Sequence, residues 1–118
     1  MVNIYDTANE LAKQMRETQE FTALEAAFND MMADQESFDL FKKFQKAQAE
    51  AQQKQMQGQK LSEDEIKNVQ NLANEVSKKD VVKKLMEKEQ QMDNMMQQLN
   101  KSITAPIQEL YKRQWISN

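Results

Sequence analysis

Cysteine and histidine are absent from the 118 residues, and glycine and proline occur once each. Each absence excludes something. Without thiols there is no disulfide, no thiolate zinc site and no cysteine-ligated iron–sulphur cluster. Without imidazole there is no Ser-His-Asp triad and no histidine general base. A chain of this length ordinarily carries about fourteen glycines and prolines. Strand-rich folds place such residues at their turns, so sandwiches, barrels and dinucleotide-binding sheets are disfavoured. No apolar run exceeds three residues, which leaves no candidate for a membrane span. The opening Met1-Val2-Asn3-Ile4-Tyr5-Asp6 has neither a basic stretch nor an apolar core. No secretory signal is read there, and a soluble cytoplasmic protein is expected.

What is present is helix-forming and charged. Apolar residues make up 39% of the chain and charged ones 30%, with a formal net charge of −3. The length suits one domain over 1–118. The apolar supply is thin for a self-sufficient globule. It favours long helices with narrow apolar stripes that complete their burial by self-association. A pI near 5.1 argues against a general nucleic-acid binder.

Apolar spacing predicts an all-α, elongated bundle of five to six helices. The first runs from about Asn3 to Thr18 on Ile4, Ala8, Leu11, Ala12 and Met15. The second spans Gln19 to Ala33 on Phe21, Leu24, Ala27, Phe28 and Met31, with Thr18 as N-cap. No glycine or proline separates them, so one bent helix is an open alternative. Asp34 is read as the cap of a long third helix, about 35–57, striped by Ser37, Phe41, Phe44, Ala47 and Ala51. Gly58 suits a left-handed helix end. Ser62-Glu63-Asp64-Glu65 is a capping box opening a fourth helix to about Ser77.

A second long helix is expected over about 80–102, antiparallel to the helix at about 35–57. Its pattern is the cleanest in the chain: Val82, Leu85, Glu89, Met92, Met96, Leu99 and Ile103 alternate at spacings of three and four. That is a heptad seam with one polar member, Glu89. Thr104-Ala105-Pro106 is expected to stop this helix. A short final helix then presents Ile107, Leu110 and Tyr111, and a tail begins at about 113 with Trp115 and Ile116. The candidate interface residues are Phe41, Phe44, Val82, Leu85, Met92, Met96 and Leu99, and a homodimer is expected.

Charge is unevenly placed. From Glu17 to Asp39 there are seven acids and no base; from Lys42 to Lys60 there are five lysines and one acid, Glu50. Folding the second helix back on the third lets the two sets neutralise each other, which guides register more than stability. Glu63-Asp64-Glu65 reads as helix capping rather than a metal cluster. Glu89 reads as a seam-edge carboxylate reaching solvent or a lysine, since no second catalytic group accompanies it. Lys78, Lys79, Lys83, Lys84 and Lys88 offer a basic face for phosphate, yet Glu75, Asp80 and Glu87 interleave with them. Met92, Met95 and Met96 suit either core filling or an adaptable client-binding groove.

The order and spacing of several segments resemble the bacterial YlbF/YmcA-like family, within it the YheA-like branch. They are Tyr5-Asp6-Thr7-Ala8-Asn9-Glu10-Leu11, then Asp34-Gln35-Glu36-Ser37 leading into Leu40-Phe41-Lys42-Lys43-Phe44-Gln45. Gly58-Gln59-Lys60-Leu61-Ser62 follows, then the helix from Asp80 to Leu99 and the Ala105-Pro106-Ile107 close. The resemblance runs to about Lys112. It implies an all-helical fold with long helices that dimerise or join hetero-complexes. It also implies accessory roles in competence, sporulation and biofilm development, tied to messenger-RNA processing. Some relatives bind iron–sulphur clusters through cysteines; this chain has no cysteine, so that cofactor is not carried over.

The expected function is therefore a non-enzymatic accessory regulator that binds protein partners through helix faces. No catalytic, cofactor or metal residue is assigned, and no small-molecule substrate or membrane insertion is expected. Two other readings stand beside it. One is a nucleic-acid-associated factor using the lysine face, although nucleic acid is the less expected partner. The other is a small holdase-like chaperone using the methionines.

Overall fold

Side-chain caps set the helix boundaries in the computed structural model, which describes residues 2–116. Asn3 Oδ1 accepts from the Asp6 backbone N–H at 3.2 Å and opens α1 (Ile4–Arg16). Thr18 is extended and separates α1 from α2 (Gln19–Ala33). Its Oγ1 donates to the Met15 carbonyl at 2.7 Å and accepts from the Phe21 N–H at 3.2 Å. One hydroxyl thus ends one helix and starts the next, so the first two helices are separate rather than one bent rod.

α3 (Gln35–Met56) follows an extended Asp34. The Asp34 side chain makes no cap hydrogen bond to the backbone. Its Oδ2 instead accepts from Ser37 Oγ at 2.6 Å. Ser37 is fully buried, and a buried hydroxyl needs an acceptor. Gly58 closes α3 at φ +77°, in the left-handed conformation, and the Gln59 N–H donates back to the Lys54 carbonyl at 2.9 Å. α4 (Glu63–Ser77) opens with both halves of the capping box. The Glu65 N–H donates to Ser62 Oγ at 3.1 Å, and the Ser62 N–H donates to Glu65 Oε1 at 3.2 Å.

α5 (Asp80–Ile116) is longer than its sequence implies. The expected stop at about Ser102, the separate final helix and the tail from about 113 are replaced by one helix of 37 residues with Pro106 inside it. A proline within a helix costs the hydrogen bond to the carbonyl four residues earlier, here that of Ser102. The penalty is tolerable here because Pro106 and the residues that follow it are exposed, so the helix can open locally without disturbing the core. Thr104 Oγ1 donates to the Asn100 carbonyl at 2.8 Å, a back-bond within the turn preceding the proline.

α2 packs chiefly on α5, and α3 on α4. Both long helices are present, and each takes a shorter helix as its main partner. The core sits where the two pairs meet: Ala27 and Met31 of α2, Val76 of α4, and Val82 and Leu85 of α5 are buried together. Leu24, Met32, Phe38, Leu40, Phe41, Phe44 and Val81 pack around them, partly buried. The molecule measures 55 × 38 × 25 Å. The long dimension follows from helix length, because 37 residues at about 1.5 Å each span about 55 Å.

Candidate functional site

The seam on α5 passes from core to open surface along one face. At about 100° per residue, Val82, Leu85, Glu89, Met92, Met96, Leu99, Ile103, Ile107 and Leu110 fall within an arc of about 100°. Burial along that arc is graded. Val82 and Leu85 are 2% and 1% exposed; Met92, Met96 and Leu99 are half-buried. Ile103, Ile107 and Leu110 are 61%, 59% and 59% exposed. The cause is length. α2 has 15 residues, about 22 Å, and covers less than half of α5.

This divides the expected interface residues. Val82 and Leu85 are buried in the chain's own core, under α2 and α4 residues. Phe41 and Phe44, on α3, are half-buried against that core. Met92, Met96 and Leu99 stand at the transition. Ile107 and Leu110, further along the same face, lie outside the expected set, since a stop at Pro106 separates them from the seam. The spacing of Ile103, Ile107 and Leu110 was the available signal.

Beside the stripe lies an open groove of about 300 Å³, lined by Phe21, Leu24, Glu25 and Phe28 of α2 and by Leu85 and Glu89 of α5. Glu89 is exposed at its rim. A seam carboxylate at this place keeps its hydration, so it does not carry the cost of a buried charge. α1 contributes a second uncovered apolar edge: Val2, Ile4 and Tyr5 are exposed, and no residue of α1 is buried.

The lysines do not form a uniform basic face. Lys79 Nζ lies 2.6 Å from Glu36 Oε1, and this hydrogen bond holds the ammonium above its ordinary pKa. Around them, an open cleft of about 500 Å³ is lined by Glu36, Asp39 and Glu75 against Lys43, Lys78 and Lys79, with Leu40. Opposite charges in equal number give no extended positive field for a phosphate backbone. Lys54 Nζ reaches Glu65 Oε2 at 2.5 Å. That bond, with the Ser62 cap, holds the Glu65 carboxyl below its ordinary range. Of the α3 lysines, Lys54 therefore pairs with α4, on which α3 packs, and Lys42 pairs with Asp39 of its own helix at 3.8 Å, rather than with the acids of α2 as expected from charge runs alone. Glu65 is thereby committed to a cap and an ion pair. No group of three or more acids among the described residues is placed to hold a metal ion. No helix among them is long and apolar enough to cross a membrane.

The methionines are dispersed across environments. Met31 is fully buried, Met92, Met95 and Met96 are half-buried, and Met56 and Met86 are exposed. A second open groove, between α3 and α4, is lined by Gln48, Ala51, Gln52, Gln55, Leu61, Ile66, Val69 and Gln70. It is glutamine-rimmed and contains no methionine.

Residues 4–108 match the family described as "Control of competence regulator ComK, YlbF/YmcA". A UPF0342 protein of Limosilactobacillus fermentum is 66% identical over 113 residues, covering 96% of this chain and 94% of that one. Two solved structures share the fold. A protein of unknown function (DUF964) from Bacillus stearothermophilus aligns with a TM-score of 0.82 at 25% identity, covering 92% of this chain and 95% of its own. The yheA protein from Bacillus subtilis aligns with a TM-score of 0.69 at 28% identity, covering 92% and 99% respectively.

Proposed function

Because the chain belongs to the YlbF/YmcA family, we propose that it is a non-enzymatic accessory protein of a regulatory complex. It acts in the cytoplasm as a homodimer and binds protein partners through helix surfaces. The observation that carries this reading is the uncovered apolar face of α5 at Ile103, Ile107 and Leu110. A helix face of this kind is the form in which helices recognise one another. Large exposed apolar residues in register on one face mark an interaction site more than scattered ones do. The family description supplies the setting, control of a competence regulator.

Affinity capture from the native host, read by mass spectrometry, tests the reading against an Ile107→Lys variant. Partners held by the parent chain and lost by the variant are the expected result. A partner set unchanged by the variant overturns it. Sedimentation showing only monomer at micromolar concentration overturns the homodimer.

A further inference from the structure

We propose that Met92, Met95 and Met96 of α5 are a reversible oxidation site: a hydroperoxide converts their thioethers to sulfoxides, and the change weakens the seating of α2 on α5. Three observations carry it.

The first is what the chain offers an oxidant. It has no cysteine, so thioether sulphur is the group that a hydroperoxide attacks first. Of its nine methionines, three fall within five residues of one helix, at Met92, Met95 and Met96. In the reaction the sulphur lone pair takes one oxygen of the peroxide. The O–O bond breaks, an S–O bond forms, and water leaves when the oxidant is hydrogen peroxide. Sulphur loses two electrons and the peroxide gains them.

The second is graded exposure. Met31 is 0% exposed, inside the core and out of an oxidant's reach. Met56 and Met86 are 83% and 52% exposed, so a sulfoxide at either stays in water and disturbs little packing. Met92, Met95 and Met96 lie between these limits, partly buried. They are open enough to be reached. They are also covered enough that a new polar S–O group loses part of its hydration. Met15 and Met32 are partly buried too, but each is a single thioether of its kind on its helix. Met15 belongs to α1, which buries no residue, and Met32 packs at the edge of the core.

The third is position. The 15 residues of α2 reach about 22 Å, which from the start of α5 at Asp80 runs out near Met95. Met92 and Met96 lie about 20° to either side of Leu85 around α5, and Met95 about 80° away. The three thioethers therefore sit where the cover of α2 ends, beyond the buried core. The neighbouring groove between Phe21, Leu24 and Leu85 is open, so this end of the α2–α5 seam is incompletely filled. A flexible apolar row suits such a place, and a sulfoxide row does not.

Hydrogen peroxide treatment of the full chain, followed by tryptic digestion and mass spectrometry, tests the site. Cleavage after Lys54, Lys60, Lys84, Lys88 and Lys101 puts Met56, Met86 and the α5 trio on different peptides. Met56 and Met86 are expected to oxidise first, the trio next and Met31 last. The urea midpoint should hold while only Met56 and Met86 are oxidised. It should then fall as the trio follows, with the folded-to-unfolded ratio reduced about tenfold. Methionine sulfoxide reductases with dithiothreitol should restore it. The M92L/M95L/M96L variant keeps side-chain volume and helix propensity. Once it matches the parent's circular dichroism, its midpoint is expected to withstand the same treatment, whereas M56L/M86L should respond as the parent does. A trio that oxidises no faster than Met31 overturns the proposal. So does a midpoint that falls before the trio is oxidised, or that does not fall when it is. A triple variant that responds like the parent, or a loss that the reductases do not reverse, overturns it equally. If the triple variant does not fold, the parent's own oxidation series decides.

Discussion

Ser37 Oγ donates to Asp34 Oδ2 at 2.6 Å from a fully buried position at the start of α3. It is the buried polar residue of a small core, and its neighbours leave its hydroxyl one good acceptor. Ser37→Ala is expected to lower stability by about 1 kcal/mol, the worth of one such bond. Asp34→Asn keeps an acceptor oxygen and should lose less. Urea unfolding followed by circular dichroism checks both. Equal losses in the two variants contradict this role for the pair.

Leu85 and Ile107 lie on the same stripe and differ in burial. Leu85→Ala is expected to cost about 2–5 kcal/mol, because it empties the centre of the core. Ile107→Ala should change stability by less than about 0.5 kcal/mol at protein concentrations low enough to keep the chain monomeric. Denaturant midpoints measured in dilute solution make the comparison. A large loss at Ile107 under those conditions shows that α5 is covered within its own chain.

Glu65 gives the fold a defined acid limb. Its carboxyl sits below the ordinary value of 4.5, first because of the Lys54 hydrogen bond and then the Ser62 cap. A pKa depressed in the folded state contributes stability that is present above the unfolded value. It is lost as pH falls through the folded one. Glu65→Gln should therefore flatten the decline in the urea midpoint below about pH 4.5, with Lys54→Met acting in the same direction. Lys79 behaves oppositely. Its pKa is raised above 10.5 by Glu36, so its contribution is present below that value and lost as pH rises through the folded pKa. A Glu65→Gln variant with an unaltered acid limb refutes the first assignment.

Pro106→Ala restores a backbone donor to the turn that begins at Ser102. A proline inside a helix costs about 3 kcal/mol relative to alanine. The exposed end of α5 contributes little to the core, so the gain should be local. Amide hydrogen exchange is expected to slow from about residue 102 to 110 while the global urea midpoint moves little. Unchanged exchange over that segment means that the proline does not weaken this helix.

These expectations mark where sequence reading succeeds. The boundaries at Thr18, Gly58 and Ser62 were legible because each depends on a side chain and backbone groups within a few residues. Pro106 was read by the same local logic and misled. Its effect depends on what surrounds the helix, and here nothing packed against it forces a break. Phe41 and Phe44 were recognised as apolar anchors, but their partner was not, since a stripe specifies a face and leaves open what covers it.

The sequence by itself determined that this protein is helical, where four of its five helices begin and end to within a few residues, and that no thiol or imidazole chemistry is open to it. Those properties follow from composition and short-range hydrogen bonding. Only the tertiary structure decided that α2 covers α5, that Lys54 meets Glu65, and that one stripe is core at Leu85 and surface at Ile107. The physical reason is reach. A heptad repeats without limit along a helix, whereas the 15-residue partner that buries it ends after about 22 Å.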